Sequence, residues 1–416
     1  MQYKRTVILL FSFLIPFIVM GKKKAEQTNV VKMSTLYKQA NLAIKSNANQ
    51  AAAEKALLDA LPRTDITDKD RAKIYFHAAR LQENLNGLIN RQAYLKKAPY
   101  DTAQFFNPLL VMYQHLEHCD SVDAIPNEKG KVHTSFTGST RALRHKHRKN
   151  ILNGGKFFLS KANYDQAYNF FDYYYRYSNN QNDTILPQVA TWAALCGYMV
   201  NKPNRTLRYI DEAFNNADSA SRPILQEYKA RSYLMLNKEP SWVASLDEGL
   251  RMFPGYDFFF VNKEDYYYQH RQFEQGELLA DSLIKAVGDR PLYWFAKSRM
   301  TLAENNYAKC IEFSDSTIAR DPNYVDAYYN KGISYLNLAV IAQESACNDL
   351  TDPKCIEDRK TIQGFYQKAK PCMEMVRKLQ PKDMERWGSA LYRIYLHLNL
   401  GAEFDEIEKL LKSSAQ

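Results

Sequence analysis

Side chains that could bind a metal ion lie close together at one place in the sequence. His115, His118 and Cys119 fall within one segment of helical spacing, with the two histidines three residues apart. A structural zinc site needs about four ligands, usually in two spaced pairs, and no second pair is evident in the sequence. His145 and His147 lie in a strongly positive run, which repels a cation. We therefore expect neither a metal nor another cofactor.

The residue patterns of the common catalytic sites do not occur in the sequence. There is no nucleophile elbow, no phosphate-binding loop and no metalloprotease helix. Gly154 and Gly155 could belong to a nucleotide-binding loop, but no strand-like segment precedes them. We therefore expect a protein that is not an enzyme, and the elements that position its side chains become the better guide to function.

A regular spacing organises the second half of the chain. Tyr328, Gly332 and Tyr335 follow a large–small–large pattern, and Ala230 with Tyr233 repeats its last two positions three units earlier. The units begin, in equal steps, near Pro223, Asp257, Pro291 and Val325. Each step is about 34 residues, the period of tetratricopeptide repeats (TPR), and the chain resembles that family over most of its length.

The resemblance implies an all-α fold, a TPR-type α-solenoid in which antiparallel helix pairs stack into a superhelix. A small residue such as Gly332 or Ala230 lets the second helix approach the first closely, and each repeat contacts its neighbours in the stack. TPR arrays serve many tasks, so the resemblance predicts the architecture more firmly than the function.

Members of the family bind ligands along the concave face that the first helices line, which implies a set of candidate binding residues. They are Lys156, Arg231, Arg299, Tyr329 and Asn337. Their polar groups would bond to carboxylates or backbone carbonyls, and the ring would stack. The Lys/Asn set with which some TPR domains hold a terminal carboxylate is not reproduced. We expect a non-catalytic scaffold for a protein or peptide partner, without nucleic acid.

Runs of aromatic residues leave a second interpretation open. The runs are Phe170–Phe171, Tyr173–Tyr175, Phe258–Phe260 and Tyr266–Tyr268. Core packing explains most of these rings, but three consecutive residues cannot all face one side of a helix. The remaining rings favour a protein interface. The alternative is a carbohydrate-binding or carbohydrate-handling component that stacks sugars on exposed rings.

The first 21 residues have the composition of an export signal. Lys4 and Arg5 precede an apolar run from Val7 to Met20, which is shorter than the ~20 residues that a membrane-spanning helix needs. We expect cleavage after Gly21 and a location in the periplasm or cell envelope. Three lysines at positions 22–24 favour the alternative, in which the segment is retained as a membrane anchor. An exported, aromatic-rich array resembles envelope TPR proteins of the Bacteroidota.

The remainder of the chain divides into three parts. Residues 22–119 have the pattern of TPR-like helical repeats, and residues 141–416 form the main array. Between them, residues 120–140 lack helical periodicity, and we interpret this segment as a loop or linker between two arrays. The main array holds a 25-residue insertion near 339–363 and ends in an amphipathic capping helix, whose outer face must be polar.

Positive charge is concentrated at the start of the main array. The chain carries 56 Lys and Arg against 46 Asp and Glu, a net charge of +10. Residues 141–149 alone hold five lysines and arginines and two histidines. The run is interpreted either as a solvated helix end or as a basic patch for an acidic protein, a glycan or a lipid headgroup. Without a nucleic-acid-binding motif, the net charge favours these over nucleic acid.

Two of the six cysteines bracket a short polar loop. Cys347 and Cys355 are separated by seven residues at the predicted tip of two lengthened helices. The ends of such a helical hairpin can approach to the ~5.5–6 Å between Cα atoms that a disulfide needs. Disulfides persist in oxidising compartments such as the periplasm. We therefore predict a Cys347–Cys355 disulfide in the exported protein.

Overall fold

The computed structural model describes residues 31–95, 101–178, 183–347 and 353–414. Within these ranges the chain forms 18 α-helices and no strand, which confirms the predicted all-α class. The chain divides into two compact units, of which unit 1 ends at Phe157 and unit 2 begins at Phe158. The predicted export signal, residues 1–21, lies outside the described residues.

Unit 1 is built from five helices, of which the last three have more than 20 residues each. They are α1 (Met33–Ser46), α2 (Gln50–Leu58), α3 (Asp68–Tyr94), α4 (Thr102–Asp123) and most of α5 (Thr137–Ser160). Leu57, Ile74 and Leu81 are buried in a core that α1, α2 and α3 share. α3 begins at a capping box, in which the side chains of Thr67 and Asp70 each accept a hydrogen bond from the other residue's backbone N–H.

The irregular segment between α4 and α5, predicted as a loop or linker over residues 120–140, is a shorter loop in the structure. α4 continues to Asp123 and α5 begins at Thr137, which leaves residues 124–136 outside the helices. The buried carboxylate of Asp123 accepts hydrogen bonds from the backbone N–H groups of Ser135 at 3.0 Å and Phe136 at 2.7 Å. Because Asp123 precedes the segment and bonds to its last residues, the segment is an anchored loop within unit 1.

The basic run at the start of α5 explains why the boundary between the units lies further along the chain. Arg144 pairs with Asp120 of α4 at 2.5 Å, and Lys146 pairs with Glu83 of α3 at 2.6 Å. His147 lies 3.1 Å from the same Glu83 carboxylate. The hydrogen bond from His147, with help from Lys146, lowers the pKa of Glu83 to about 2. These pairs connect the first half of α5 to α3 and α4 within unit 1, whereas the sequence analysis placed the start of the main array at residue 141.

Unit 2 consists of helices in antiparallel pairs, and all but two of them have 13–15 residues. They are α6 (Tyr164–Arg176), α7 (Leu186–Met199), α8 (Pro203–Asn216), α9 (Ser221–Met235), α10 (Glu239–Met252), α11 (Asp257–Gln269), α12 (Phe273–Ala286), α13 (Pro291–Ala303), α14 (Tyr307–Arg320), α15 (Val325–Glu344), α16 (Pro353–Leu379), α17 (Met384–His397) and α18 (Gly401–Ser414). The predicted unit starts at Asp257, Pro291 and Val325 are the first residues of α11, α13 and α15, which confirms the predicted period.

A repeated ion pair fixes each first helix against the preceding second helix. Lysines at the same position of successive repeats reach back to aspartates of the helix before: Lys229 to Asp211, Lys263 to Asp247, Lys297 to Asp281 and Lys331 to Asp315. The side chains of Lys263 and Lys297 are buried, and a buried charge is tolerated in proteins when it is paired. These four ion pairs, called the ion-pair ladder below, therefore set the rotation of α9, α11, α13 and α15 about their axes. That rotation decides which side chains these helices present to solvent.

The turn between the two helices of a repeat needs one residue in the left-handed region. Asn237 and Asn305 occupy it with φ of 54° and 62°, whereas Arg271 stands at the equivalent position with φ of 55°. In each turn the next N–H donates to a carbonyl five residues back, as from Gln272 to Tyr267 at 2.8 Å. Asparagine tolerates this conformation better than arginine does, because its short side chain can bond locally.

Exchanging the two residue types should therefore move stability in opposite directions. We expect Arg271→Asn to raise the free energy of unfolding by about 0.5–1 kcal/mol, since a left-handed residue costs roughly 1–2 kcal/mol. Asn305→Arg, the reciprocal change one repeat later, should lower it by a similar amount. Thermal melting of both variants measures the effect, and equal shifts of the same sign would contradict this account of the turn.

The predicted insertion and capping helix both have counterparts in the structure. α15 has 20 residues and α16 has 27, against 13–15 for α9 to α14. The extra residues therefore lengthen this one helix pair, and residues 348–352 between its helices lie outside the described ranges. α18 buries Ile407 in the core that α15, α16 and α17 share, while Asp405 and Glu406 stay exposed. α18 is thus amphipathic, as a terminal helix requires.

Candidate binding surface

The first helices of unit 2 present a row of charged residues at one position of the repeat. Arg231 of α9, Asp265 of α11 and Arg299 of α13 occupy this position in three successive repeats. We use the name first-helix face for the solvent-facing sides of α9, α11, α13, α15 and α17. Two of the residues predicted from the sequence, Arg231 and Arg299, lie in this row, and each is held by an acidic residue and an aromatic ring.

Arg231 is fixed between α9 and α11. Its Nε donates to Glu227 Oε1 at 2.7 Å, and its guanidinium lies 4.6 Å from the centre of the Phe258 ring. Glu227 is in turn fixed by the hydroxyl of Tyr256, which donates to Oε2 at 2.6 Å. Burial and this hydrogen bond raise the pKa of Tyr256 to about 12. The side chain of Arg231 remains 45% exposed, so its outer edge faces solvent.

Arg299 stacks on α11 from the following repeat. Its guanidinium lies 4.0 Å from the centre of the Tyr268 ring. Nη1 donates to both Glu264 Oε2 at 2.6 Å and Asp265 Oδ1 at 2.7 Å. The Nε and Nη2 donors form no hydrogen bond with any residue that the structure describes, and the side chain is 30% exposed. This free edge has the geometry that binds a carboxylate through two parallel hydrogen bonds.

A third cluster of the same composition lies between α15 and α17. Arg386 donates from Nη2 to Asp326 Oδ1 at 2.6 Å and from Nη1 to Gln380 Oε1 at 2.9 Å. Its guanidinium lies 4.5 Å from the centre of the Tyr329 ring, so the sequence-predicted Tyr329 is the ring of this cluster. Stacking orders a guanidinium before a ligand arrives, which lowers the entropic cost of binding.

The other two predicted residues do not join these clusters. Asn337 lies two turns beyond Tyr329 on α15, is half-buried, and hydrogen-bonds to none of the described residues. Lys156 lies on α5 in unit 1 and is exposed. A role in binding remains a prediction for all five residues.

Sequence reasoning missed Glu264, although the repeat spacing marks it. Glu264 takes the position at which Ala230, Ser298 and Gly332 provide a small side chain. Its side chain is 6% exposed, and Oε1 is buried without a hydrogen-bond partner among the described residues. Burial raises the pKa of Glu264 to about 7, against the opposing effect of Arg299. A carboxylate at a small-residue position of the repeat is the signal that could have identified it.

The loop of unit 1 borders a second candidate surface. Asn127 closes a tight turn, because its backbone N–H donates to Lys131 at 3.0 Å and its carbonyl accepts from Gly130 at 2.7 Å. A cavity of about 630 Å³ lies between this loop and the start of α3. Its charged lining residues are Asp68, Lys69, Asp123, Glu128 and Lys129. Since acids and bases alternate there, the cavity does not favour a ligand of one charge.

Most rings of the aromatic runs are buried between helices. Phe170, Phe171, Phe259 and Phe260 are at most 1% exposed, and Tyr173 and Tyr174 are also buried. Phe258 and the tyrosines at 266–268 are half-buried. Of these, Phe258 and Tyr268 are the rings on which Arg231 and Arg299 stack.

The two histidines of the candidate metal cluster have structural partners. His115 Nε2 lies 2.8 Å from Glu54 Oε1, and His118 stacks on Tyr75 with ring centres 5.1 Å apart. Among the described residues, no three His, Cys, Asp or Glu side chains are grouped so as to hold a metal ion. No helix in the described ranges is long and apolar enough to span a bilayer.

The predicted cysteine pair is brought together at the tip of α15 and α16. The Cα atoms of Cys347 and Cys355 are 5.0 Å apart, and their Sγ atoms are at bonding distance. The other four cysteines, Cys119, Cys196, Cys310 and Cys372, are buried as thiols.

No family model matches the chain, and no curated protein sequence matches it. Several solved structures match its fold. The C-terminal part of a TPR repeat-containing protein from Cytophaga hutchinsonii matches with a TM-score of 0.37 and 11% identity, over 62% of this chain and 98% of that one. A tetratricopeptide repeat protein from Parabacteroides merdae matches with a TM-score of 0.35 and 12% identity, over 65% and 100%. A TPR repeats protein from Bacteroides fragilis matches with a TM-score of 0.30 and 16% identity, over 63% and 98%.

Proposed function

We propose that the chain is a non-catalytic scaffold of the bacterial cell envelope that binds an acidic protein or peptide segment along the first-helix face. The observation that carries this proposal is the set of three stacked arginines, Arg231, Arg299 and Arg386, each held on a ring by a neighbouring acid. Charge-assisted hydrogen bonds to such arginines are about twice as strong as neutral ones.

The acids on the same face set the character of the binding. Each arginine is already paired within the chain, so a partner's carboxylate shares the cation and does not meet a bare charge. An exposed ion pair between a partner's carboxylate and one of these arginines contributes roughly 0–1 kcal/mol. Affinity therefore comes from several such contacts along the row, which suits an extended or helical segment with spaced acidic residues.

The carbohydrate alternative requires rings that line a groove. Six rings of the aromatic runs are buried and are explained by packing: Phe170, Phe171, Tyr173, Tyr174, Phe259 and Phe260. The half-buried rings Phe258 and Tyr268 are covered on one side by arginine. These positions favour the scaffold.

Export is the part of the proposal that rests on sequence alone. The charged start, the apolar run to Met20 and the small residue Gly21 support a cleaved signal. Amino-terminal sequencing of the protein from its native envelope tests this, with Lys22 as the expected first residue. A chain that still begins at Met1 would replace secretion by anchoring or retention in the cytoplasm.

Neutralising two arginines of the row should weaken partner binding. Removing Arg299 alone would leave Glu264 buried without its cation, which is strongly destabilising. The test variant is therefore Arg231→Gln with Arg299→Gln and Glu264→Gln. We expect it to recover at least about tenfold less of the partner than the wild type, because a tenfold loss corresponds to only about 1.4 kcal/mol.

Affinity capture from the native envelope, with mass spectrometry, measures this effect. The matched control is Glu264→Gln alone, which keeps both arginines and should keep the partner. Equal recovery by the triple variant and the control would exclude the first-helix face, and the loop 124–136 with its cavity would be the next surface to test.

A further inference from the structure

We propose that Glu264 is a proton-sensitive latch that controls the carboxylate-binding edge of Arg299. When Glu264 is ionised, its negative charge repels a partner's acidic group from the free edge of Arg299; when it is protonated, this repulsion is absent. The inference rests on the proposed function, since it describes how the same face is regulated.

The geometry of the ionised state leaves one oxygen of Glu264 unsatisfied. Oε2 accepts from Arg299 Nη1 at 2.6 Å, whereas Oε1 is buried and has no hydrogen-bond partner in the part of the chain that the structure describes. Leaving a buried acceptor unsatisfied is costly, and more so when the group carries a charge. The neutral carboxyl avoids most of this cost, so the site is built to take up a proton more readily than an exposed glutamate. A pKa raised to about 7 agrees with this geometry.

Few charged groups act on Glu264. Arg299 of α13 favours the ionised form, and Asp265 of its own helix opposes it. The hydroxyl of Tyr324, ahead of α15, senses the Glu264 charge but has its own pKa raised to about 12, mainly by burial, so it stays neutral. Lys263, the neighbour of Glu264, points away to Asp247 of α10. Protonation of Glu264 is therefore governed by its burial and by Arg299.

Protonation changes the charge that an approaching anion meets. With Glu264 ionised, Glu264, Asp265 and Arg299 carry a net charge of about −1 together, because two carboxylates share one guanidinium nitrogen. With Glu264 protonated, Asp265 alone balances Arg299 and the cluster is neutral. Arg299 stays stacked on Tyr268 in both states, so its free Nε and Nη2 edge keeps its place while the repulsion disappears.

The probe for the test is a fluorescently labelled hexa-aspartate peptide, measured by anisotropy at pH 6 and pH 8. If only the protonated form binds, a pKa of about 7 makes the wild type bind about tenfold more tightly at pH 6 than at pH 8, since apparent affinity scales with the competent fraction. Glu264→Gln, which imitates the protonated state, should bind equally at both pH values, with the affinity of the wild type at pH 6.

Asp265→Asn is the matched control, because it removes the other carboxylate on the same Arg299 nitrogen. It should tighten binding at both pH values and keep the pH dependence. A Glu264→Gln variant that retains the pH dependence of the wild type would overturn the latch. Loss of binding by every variant at both pH values would overturn the acidic-partner function instead.

A measurement on the free protein separates these two failures. The pKa of Glu264 is higher in the folded protein than in the unfolded chain, so the wild type loses stability as pH rises from about 4.5 to 7. Over this range the unfolded chain has released the proton while the folded protein still holds it. Glu264→Gln lacks this loss, so its Tm advantage over the wild type should grow between pH 5 and pH 8. A constant difference across this range would show that Glu264 does not titrate there, and the latch would be wrong even if the peptide binds.

Discussion

Replacing Gly197 with alanine should lower the free energy of unfolding by about 2 kcal/mol. Overpacking costs up to about 3 kcal/mol, and the higher helix propensity of alanine offsets up to ~1 kcal/mol of that cost. Gly197 lies on α7, where a Cβ atom would come within 2.7 Å of the Thr206 backbone nitrogen and 2.9 Å of the Arg205 carbonyl carbon. These atoms belong to the backbone of α8, so they cannot rotate away. The two helices would have to separate.

Two other helical glycines complete a graded series for this prediction. A Cβ at Gly332 would lie 2.7 Å from Met373 Cε, the end of a flexible side chain, so Gly332→Ala should cost less than Gly197→Ala. A Cβ at Gly364 would meet nothing within 4 Å, so Gly364→Ala should stabilise the helix by up to ~1 kcal/mol. Thermal melting of the three variants gives the order. Equal effects at Gly197 and Gly364 would mean that α7 and α8 do not approach as closely as described.

The repeat architecture could be predicted from the sequence because packing repeats with the chain. A small residue is required wherever the second helix crosses the first, and Ala230 and Gly332 satisfy that requirement three repeats apart. The same spacing also contains the lysines of the ion-pair ladder, Lys263 and Lys297 among them, although the sequence analysis did not identify them. The recurrence of a buried cation at the repeat period becomes visible once its acidic partner is known.

Unit 1 could be predicted less well because its interactions are not periodic. The basic run at 141–149 has the composition of an exposed surface, yet Arg144 is buried against Asp120, and Glu83 lies far along the chain from Lys146 and His147. No local sequence pattern predicts ion pairs between residues so far apart in the chain. The predicted boundary was therefore placed at the change in composition, whereas the packing places it at Phe157.

The first-helix face could be predicted from the sequence in part. Arg231 and Arg299 could be located from the repeat position, since first helices turn the same side to solvent in every repeat. The rings and acids that hold these arginines could not be located in the same way, because α11 supplies both rings. Phe258 stacks with Arg231 of the preceding first helix, and Tyr268 stacks with Arg299 of the following one. Which neighbour a long side chain selects depends on the stacking of repeats, and a single sequence does not fix it.

Loss of the Cys347–Cys355 disulfide should lower the free energy of unfolding by about 2–3 kcal/mol in the chain-entropy model, given the short loop that it closes. The Cα separation of 5.0 Å lies within the range that a disulfide accepts. The backbone N–H of Cys347 also donates to Asp358 Oδ2 at 2.9 Å, which holds the end of α15 against α16 with or without the bridge. Reduction should therefore loosen the tip of the pair, and Cys347→Ser with Cys355→Ser should reproduce its effect.

Peptide mapping of non-reduced protein from the native envelope decides whether the bridge exists, and melting with and without reductant measures its contribution. The serine double variant is the control, because its Tm should not respond to reductant. The four remaining thiols do not confuse the result, because burial raises the pKa of each: to about 12 for Cys119 and Cys196, to about 11 for Cys372, and above its ordinary value for Cys310. A thiol with a raised pKa forms less of the thiolate that exchange requires. If both cysteines of the pair are free thiols in the native protein, the bridge is wrong. The argument for an oxidising compartment, and with it for export, then loses its second support and rests on residues 1–21 alone.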